Sequence, residues 1–189
     1  MNTYDFDKTI FYPDSSYTFI VWYLRRHPLQ RLRMMPRLIW FGLLYLLRII
    51  PKEEIKSGTF YFLRWIPDLE KEINLFWDEH EAGICKWYLD QKRDDDLIIS
   101  ASPEFIIGNI SKRLGVSFIS TKMDNSTGRI IGTNCSGAEK VRRFRELFPN
   151  GVTEAFYSDS LSDTPMAKIA DKAYLIVDKG QRIVPWPEK

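Results

Sequence analysis

The residues that could do chemistry first occur at the start of the chain, where an apolar segment ends in Asp5 and Asp7. Residues two apart in an extended strand point to the same side, so both carboxylates face one reacting group if the strand continues through them. A carboxylate can attack phosphorus and form an aspartyl-phosphate. A second acid can protonate the leaving oxygen and then activate water. The pair therefore predicts phosphoryl transfer with an aspartyl nucleophile.

Three later motifs follow this pair in chain order. Ser100 ends the apolar run Leu97–Ile99, Lys140 stands in Gly-Ala-Glu-Lys-Val, and Asp159 and Asp163 lie four apart. Clustered carboxylates repel a phosphate dianion unless a hard cation screens them, so we expect Mg²⁺ with Asp159 as a further ligand. Lys140 and Ser100 would neutralise and orient the phosphoryl oxygens.

Each motif taken singly has a simpler explanation. An isolated Asp-x-Asp is usually a solvated turn, Ser100 could cap a strand end, and Lys140 could be a solvated helix lysine. Asp159 and Asp163 could be an N-cap and a first-turn acid, which the helix dipole favours. Because the motifs occur together, in this order and at predicted strand ends, we interpret them as one site.

With these motifs the chain resembles the haloacid dehalogenase superfamily of phosphohydrolases over essentially its whole length. The family's Asp-x-Asp-x-Thr signature matches Asp5 to Thr9. The long gap between the first and second motifs is similar to that of subfamily IB, which includes phosphoserine phosphatases and phosphatidylglycerophosphatase C-like proteins. The resemblance implies an α/β fold: a Rossmann-like parallel sheet core with an inserted, all-helical C1-type cap. We expect residues 1–12 and 82–189 to form the core and residues 13–81 the cap.

The resemblance also implies a role for each motif residue. Asp5 is the expected nucleophile and Asp7 the general acid/base. Mg²⁺ would bind Asp5, the backbone carbonyl of Asp7, and Asp159, while Asp163 would support the metal site or the lysine. The phosphate-binding residues implied by the resemblance are Thr9, which would also steady the nucleophile loop, Ser100, Ala101 and Lys140.

Some residues of this chain differ from the family's motifs, and these differences affect the expected substrate more than the expected reaction. Phosphoserine phosphatases usually follow the second-motif serine with two glycines, whereas this chain has Ala101–Glu104, which weakens a phosphoserine assignment. Serines replace the usual glycines of the fourth motif, but the acid spacing is kept. Asp14 lies near the family's substrate-binding glutamate, and the alternative is that it starts a helix. Further candidate substrate-binding residues are Arg25, Arg26 and Arg64.

Composition bounds the class of protein. The chain has 189 residues, of which 44% are hydrophobic and 28% charged, as in an ordinary globular protein. The net charge of +2 gives no case for nucleic-acid binding. Cys85 and Cys135 have no zinc or redox spacing, so a reduced, cytoplasmic setting is the default. Asp5 and Asp7 interrupt the N-terminus before any signal-peptide run.

One segment is cationic and apolar at once. No acidic residue occurs between Asp14 and Glu53, whereas arginines, tryptophans and tyrosines are frequent there. Its longest apolar stretch, Leu38–Leu47, is far shorter than the ~20 residues that span a bilayer. Two explanations fit: the segment meets an amphiphilic phosphate and the inner face of a membrane, or the aromatics form the cap core and the arginines its solvated face.

The chain pattern predicts the elements that must position these residues. The cap should be helical from Ser15 to about Glu81, with breaks near Pro28, Pro36, Pro51 and Pro67. The second half alternates strands and helices, which favours a parallel sheet. Predicted strands are 2–7, 96–100, 116–122, 154–158 and 173–177, with 128–133 pairing as a hairpin with 116–122. Predicted helices are 81–91, 103–114, 137–147 and 163–171, and the tail should be irregular.

These patterns together predict a Mg²⁺-dependent phosphomonoester hydrolase acting through an aspartyl-phosphate, on an amphiphilic or lipid-like substrate. Phosphoserine or another small metabolite is the alternative substrate. A phosphotransferase, or an inactive phosphate-binding or membrane-associated module, is the alternative of another class. The presence of Asp7 favours hydrolysis, because water attack requires an acid/base.

Overall fold

The computed structural model describes residues 1–49 and 58–187. Its strands, in chain order, are β1 (Thr3–Tyr4), β2 (Leu97–Pro103), β3 (Ser117–Thr121), β4 (Met123–Asp124), β5 (Arg129–Ile130), β6 (Thr153–Ser158), β7 (Ala170–Val177) and β8 (Arg182–Pro185). In this part of the chain a six-stranded sheet has the order β3-β2-β1-β6-β7-β8, and every neighbouring pair except β7–β8 is parallel. The predicted parallel α/β architecture is confirmed.

The sheet changes direction at β1. Thr3 pairs with Leu97 of β2 on one side and with Phe156 of β6 on the other. The chain thus winds outward from β1 in both directions, which creates a crevice beyond the carboxyl ends of β1, β2 and β6, where open α/β sheets bind ligands.

Helices make up residues 15–83 as far as these are described. The α-helices of the chain are α1 (Ser15–Arg26), α2 (Pro28–Leu46), α3 (Leu69–His80), α4 (Lys86–Gln91), α5 (Glu104–Leu114), α6 (Ala138–Leu147) and α7 (Thr164–Ala167). Asp14 caps α1 by accepting a hydrogen bond from the Tyr17 N–H at 2.9 Å. Gly115 ends α5 in the left-handed region, at φ 69°. None of the described helices is both long and apolar enough to cross a bilayer.

Aromatic packing joins the helical segment to the sheet. Trp77 of α3 is fully buried between Phe6 and Phe11 of the loop after β1. Its indole N–H donates to the Ile106 carbonyl at 3.0 Å, which satisfies the polar end of this large side chain. The loop that carries Asp7 is therefore fixed from the side of the helical segment.

Several predicted boundaries were wrong in the first half of the chain. Pro36 lies within α2 and does not break it, and Pro51 falls outside the described residues. The first strand is shorter than 2–7 because the Phe6 carbonyl accepts hydrogen bonds from the N–H groups of residues 9–11. The predicted helix 81–91 is interrupted because the Cys85 N–H donates to the Ile10 carbonyl at 2.7 Å.

In the second half, the predicted hairpin partner was wrong. β5 pairs with β4, because the turn closes at Asp124, whose carbonyl accepts from the Gly128 N–H at 2.7 Å. The helix predicted at 163–171 is only α7, since β7 already begins at Ala170. The tail predicted to be irregular contains β8, an edge strand that tolerates Pro185.

Candidate active site

The predicted catalytic residues meet at the crevice of the sheet. Asp5 follows β1, Ser100 lies in β2, and Asp159 follows β6. A cavity of about 740 Å³ opens there, between the strand ends and the start of α1. We call it the catalytic cavity, because the predicted catalytic residues line it. Its lining includes the following predicted site residues: Asp5, Asp7, Asp14, Ser100, Ala101, Lys140, Asp159 and Asp163. The structure thus brings together side chains that are up to about 160 residues apart in sequence.

A buried lysine joins two of the carboxylates. Lys140 Nζ lies 2.6 Å from Asp5 Oδ1 and 2.6 Å from Asp163 Oδ2. The lysine side chain is only 2% exposed, because α6 packs against the sheet and directs this first-turn residue inward. Ser158 also donates to Asp163 Oδ2, at 2.9 Å. Asp163 therefore holds Lys140 against Asp5.

Burial controls the charges of this network. It raises the pKa of Asp5 to about 7, an effect that Lys140 opposes and Asp163 reinforces. Burial alone would lower the pKa of Lys140, but the charges of Asp5 and Asp163 raise it above its usual value. Burial likewise raises the pKa of Asp159, against Lys8 and Lys140. Lys140 is thus protonated, and its single positive charge does not fully compensate the carboxylates around it.

Asp7 is held on both oxygens from the other side of the cavity. The Ser15 N–H, at the start of α1, donates to Asp7 Oδ1 at 2.6 Å, and the Ser102 hydroxyl donates to Asp7 Oδ2. Burial, and then the charge of Asp14, raise the pKa of Asp7 to about 6, while these two hydrogen bonds oppose the rise. Asp7 is therefore suited to exchange a proton near neutral pH.

Hydroxyl groups connect the remaining parts of the site. Thr9 Oγ1 lies 3.4 Å from Asp5 Oδ2 and accepts from the Asp159 N–H at 3.0 Å, so it links the loops after β1 and β6. Ser100 Oγ accepts from the Ser102 N–H at 3.0 Å and lies at the floor of the cavity, 1% exposed. Ser100 thus lines the cavity, whereas Thr9 lies buried behind it, between the two loops.

The arginines predicted to contact substrate are not brought to this cavity. Arg26 pairs with Glu79 at 3.1 Å, and Arg25 is exposed on the last turn of α1. Arg64 lines a different cavity. Asp14 caps α1 and also lines the catalytic cavity, so its two predicted roles are compatible.

Sequence reasoning missed the groups that orient the acids. In the sequence, Ser102 is only a departure from a glycine pair, yet its hydroxyl donates to Asp7 and lies 2.7 Å from that of Ser16. Ser158 was noticed only as a substitute for glycine, yet it bonds Asp163. The available signal was that serine, at position 102 and in the fourth motif, stands where glycine is usual, because a hydroxyl adds a hydrogen-bond donor that glycine lacks.

Fold and site together define an α/β protein with an acid-rich, lysine-bridged centre at the switch point of a mainly parallel sheet. A family model described as haloacid dehalogenase-like hydrolase matches residues 3–168. The chain belongs to this family, as its motifs predicted.

The chain is also similar to part of one curated protein. Protein CicA from Caulobacter vibrioides is 39% identical over 94 residues, which are 46% of this chain and 40% of CicA. The match thus spans less than half of that relative's length.

Solved structures share the fold. A protein of unknown function from Bordetella pertussis Tohama I has a TM-score of 0.72 at 20% identity, over 92% of this chain and 87% of its own. A HAD family hydrolase from Salmonella enterica serovar Typhi has a TM-score of 0.61 at 16% identity, over 90% and 60%. A phosphoserine phosphatase solved as a phospho-aspartyl intermediate analogue has a TM-score of 0.51 at 13% identity, over 90% and 83%. At these identities the likeness concerns the fold.

Proposed function

We propose that the protein is a Mg²⁺-dependent phosphomonoester hydrolase that forms an aspartyl-phosphate on Asp5. The observation that carries this proposal is the buried Asp5–Lys140–Asp163 network beside Asp7, in one cavity at the sheet switch point. Membership of a hydrolase family supports it.

The acidic side chains fit a hard divalent cation. Asp5 and Asp159 line the same cavity, and burial raises the pKa of each, so a bound cation would stabilise their ionised forms. No set of three or more His, Cys, Asp or Glu side chains among residues 1–49 and 58–187 is arranged to hold a metal. The proposed ligands are accordingly two carboxylates, Asp5 and Asp159, and one main-chain carbonyl, that of Asp7. When bound, Mg²⁺ would neutralise phosphoryl oxygens.

The chain's own residues then perform the transfer. An Asp5 carboxylate oxygen attacks phosphorus, and the bond to the leaving oxygen breaks as Asp7 donates a proton to it. Water next attacks the same phosphorus, gives its proton to Asp7, and releases phosphate and free Asp5. Lys140 holds Asp5 in place, and the Ser100 hydroxyl donates a hydrogen bond to a phosphoryl oxygen.

The direct test measures Mg²⁺-dependent phosphate release from a phosphomonoester panel. Asp5→Asn should reduce turnover by at least about 10³-fold, since it removes the nucleophile. Asp90→Asn is the matched control, because Asp90 is an exposed acid paired with Lys86 on α4. Undiminished turnover by the Asp5 variant would refute the assigned nucleophile. Full activity in EDTA would refute the role of the cation.

We further propose an amphiphilic phosphate as the substrate, because of the surface of α2. An exposed apolar stripe, here called the α2 outer face, has its residues three, four or seven apart, that is, one or two helical turns, as on one side of a helix. It consists of Leu29, Leu32, Ile39, Leu43 and Leu46. Leu32 is 71% exposed and Leu46 79%. An apolar patch of this extent marks an interaction surface.

The positive charge of α2 favours an anionic membrane surface as the partner of the α2 outer face. Arg31 and Arg33 lie on the exposed part of the same helix, and α2 contains no acidic residue. A second copy placed face to face would bring arginine against arginine with no acid of α2 to pair. Anionic headgroups would instead neutralise them while the leucines enter the interface.

Vesicle flotation tests this docking. The protein should float with phosphatidylcholine vesicles that contain phosphatidylglycerol, and less with phosphatidylcholine alone. Leu43→Glu should abolish flotation, whereas Leu147→Glu, which changes an exposed leucine of α6, should not. A dimer that Leu43→Glu dissociates, in protein that does not float, would show a second copy to be the partner. In that case, phosphoserine or another small monoester becomes the favoured substrate class.

A further inference from the structure

A second cavity lies where the helical segment meets the β4–β5 hairpin. It has a volume of about 590 Å³ and is separate from the catalytic one. Three arginines line it: Arg37 of α2, Arg64 and Arg129 of β5. No acidic residue is among the described residues that line it. We call it the arginine cavity.

Two of these arginines stack on one ring. The guanidinium carbon of Arg37 lies 4.0 Å from the centre of the Tyr61 ring, and that of Arg64 lies 3.9 Å from it. Arg64 also donates to the Tyr61 hydroxyl at 2.6 Å. The ring thus holds two like charges close together, and the cation–π attraction offsets only part of their repulsion.

The hydrogen-bonding capacity of this cluster is incompletely used. Within residues 1–49 and 58–187, Arg37 Nε is buried and has no hydrogen-bond partner. In the same part of the chain, Arg37, Arg64 and Arg129 form no ion pair with an acid. Buried donors normally find an acceptor, so the cluster is complementary to an anion.

The arginine cavity joins two parts of the molecule. Gly128, at φ 72° in the hairpin turn, packs so closely on the segment 58–61 that a Cβ there would lie 2.2 Å from the Phe60 carbonyl oxygen. Arg129 comes from this hairpin, and the other two arginines come from the helical segment. An anion bound between them would contact both parts at once.

The same segment separates the two cavities. Thr59 and Phe60 line the catalytic cavity, whereas Gly58 and Tyr61 line the arginine cavity. Fixing this segment from the arginine side therefore fixes part of the wall of the catalytic cavity.

We propose that the arginine cavity binds a phosphate or phosphodiester group and that this anion clamps the helical segment to the β4–β5 hairpin. Guanidinium groups bind such oxygens through paired, charge-assisted hydrogen bonds. The site is distinct from the proposed catalytic one and does not require that the protein be a phosphatase.

Calorimetric titration at low salt tests the site with inorganic phosphate as one probe and dihexanoyl phosphatidylglycerol as the other. The double variant Arg64→Gln/Arg129→Gln should weaken binding to this site by at least about tenfold. Arg182→Gln, which changes an exposed arginine of β8 outside both proposed sites, should leave it unchanged. Crystals soaked with each probe should show the anion between the arginines.

The outcomes separate the possible ligands and the two proposals. Binding of inorganic phosphate identifies a free anion as sufficient, and binding of only the lipid probe identifies a headgroup phosphodiester. Equal affinity of wild type and double variant for both probes, with no anion between the arginines in the crystals, would overturn the site. Absent phosphatase activity with arginine-dependent binding would instead reject only the proposed catalytic function.

Discussion

The catalytic cavity and the arginine cavity each concentrate charge of one sign, but they compensate it differently. In the catalytic cavity, Lys140 lies within 2.6 Å of both Asp5 and Asp163, and all three side chains are almost fully buried. In the arginine cavity, Arg64 and Arg129 are exposed. Among the described residues, Arg37 and Arg64 stack on the Tyr61 ring and form no ion pair.

The difference shows how burial determines which compensation is needed. A charge removed from water requires a partner at short range, because desolvation costs several kcal/mol per ion. An exposed charge is screened by solvent and salt, so it is stable without a charged partner in the protein until a ligand binds. The first arrangement suits a preorganised site, and the second suits a site whose partner arrives from solution.

Removing Lys140 should have the largest effect. Lys140→Met leaves Asp5 and Asp163 buried without their cation, so we expect a loss of about 3–5 kcal/mol in the free energy of unfolding, together with near-complete loss of turnover. Chemical denaturation measures the first. Lys86→Met is the matched control, because it removes an exposed i,i+4 pair with Asp90 that contributes about 0.3–0.5 kcal/mol. Equal losses in the two variants would contradict the buried-network interpretation.

Removing the Ser102 hydroxyl should have an intermediate effect on activity. Ser102→Ala takes away the donor to Asp7 Oδ2, so kcat should fall by about tenfold, with little change in KM. Ser102→Thr, which keeps a hydroxyl, should restore most of the rate. Ser117→Ala changes an exposed serine of β3 and should be silent. A raised KM with unchanged kcat would assign Ser102 to substrate binding instead.

Removing Arg129 should have the smallest effect on stability. Because Arg129 is exposed and forms no ion pair among the described residues, Arg129→Gln should change the free energy of unfolding by less than about 0.5 kcal/mol. Thermal or chemical denaturation without added anion checks this. A loss comparable to that of Lys140→Met would remove the distinction between the two cavities.

Local patterns predicted the elements best where they were strong. The apolar run before Ser100 gave β2, and Gly115 marked the end of α5. Prediction failed where tertiary contacts override local preference: Pro36 lies inside α2, and Ile10 interrupts the helix predicted before Gln91. At Cys85, a hydrogen bond to a residue distant in sequence outweighs the small local helix propensities.

The sequence by itself determined which residues gather in the catalytic cavity. The strand-end positions of Asp5, Ser100 and Asp159 were enough to predict that they lie together, because parallel strands end at the same edge of a sheet. The order of the motifs added Lys140, which lies in the first turn of α6. Only the tertiary structure decided which groups orient those acids and where the arginines gather. Ser102 reaches Asp7, and Arg129 reaches the helical segment, through approaches between residues far apart in the chain. Such distances depend on packing, which no local pattern encodes.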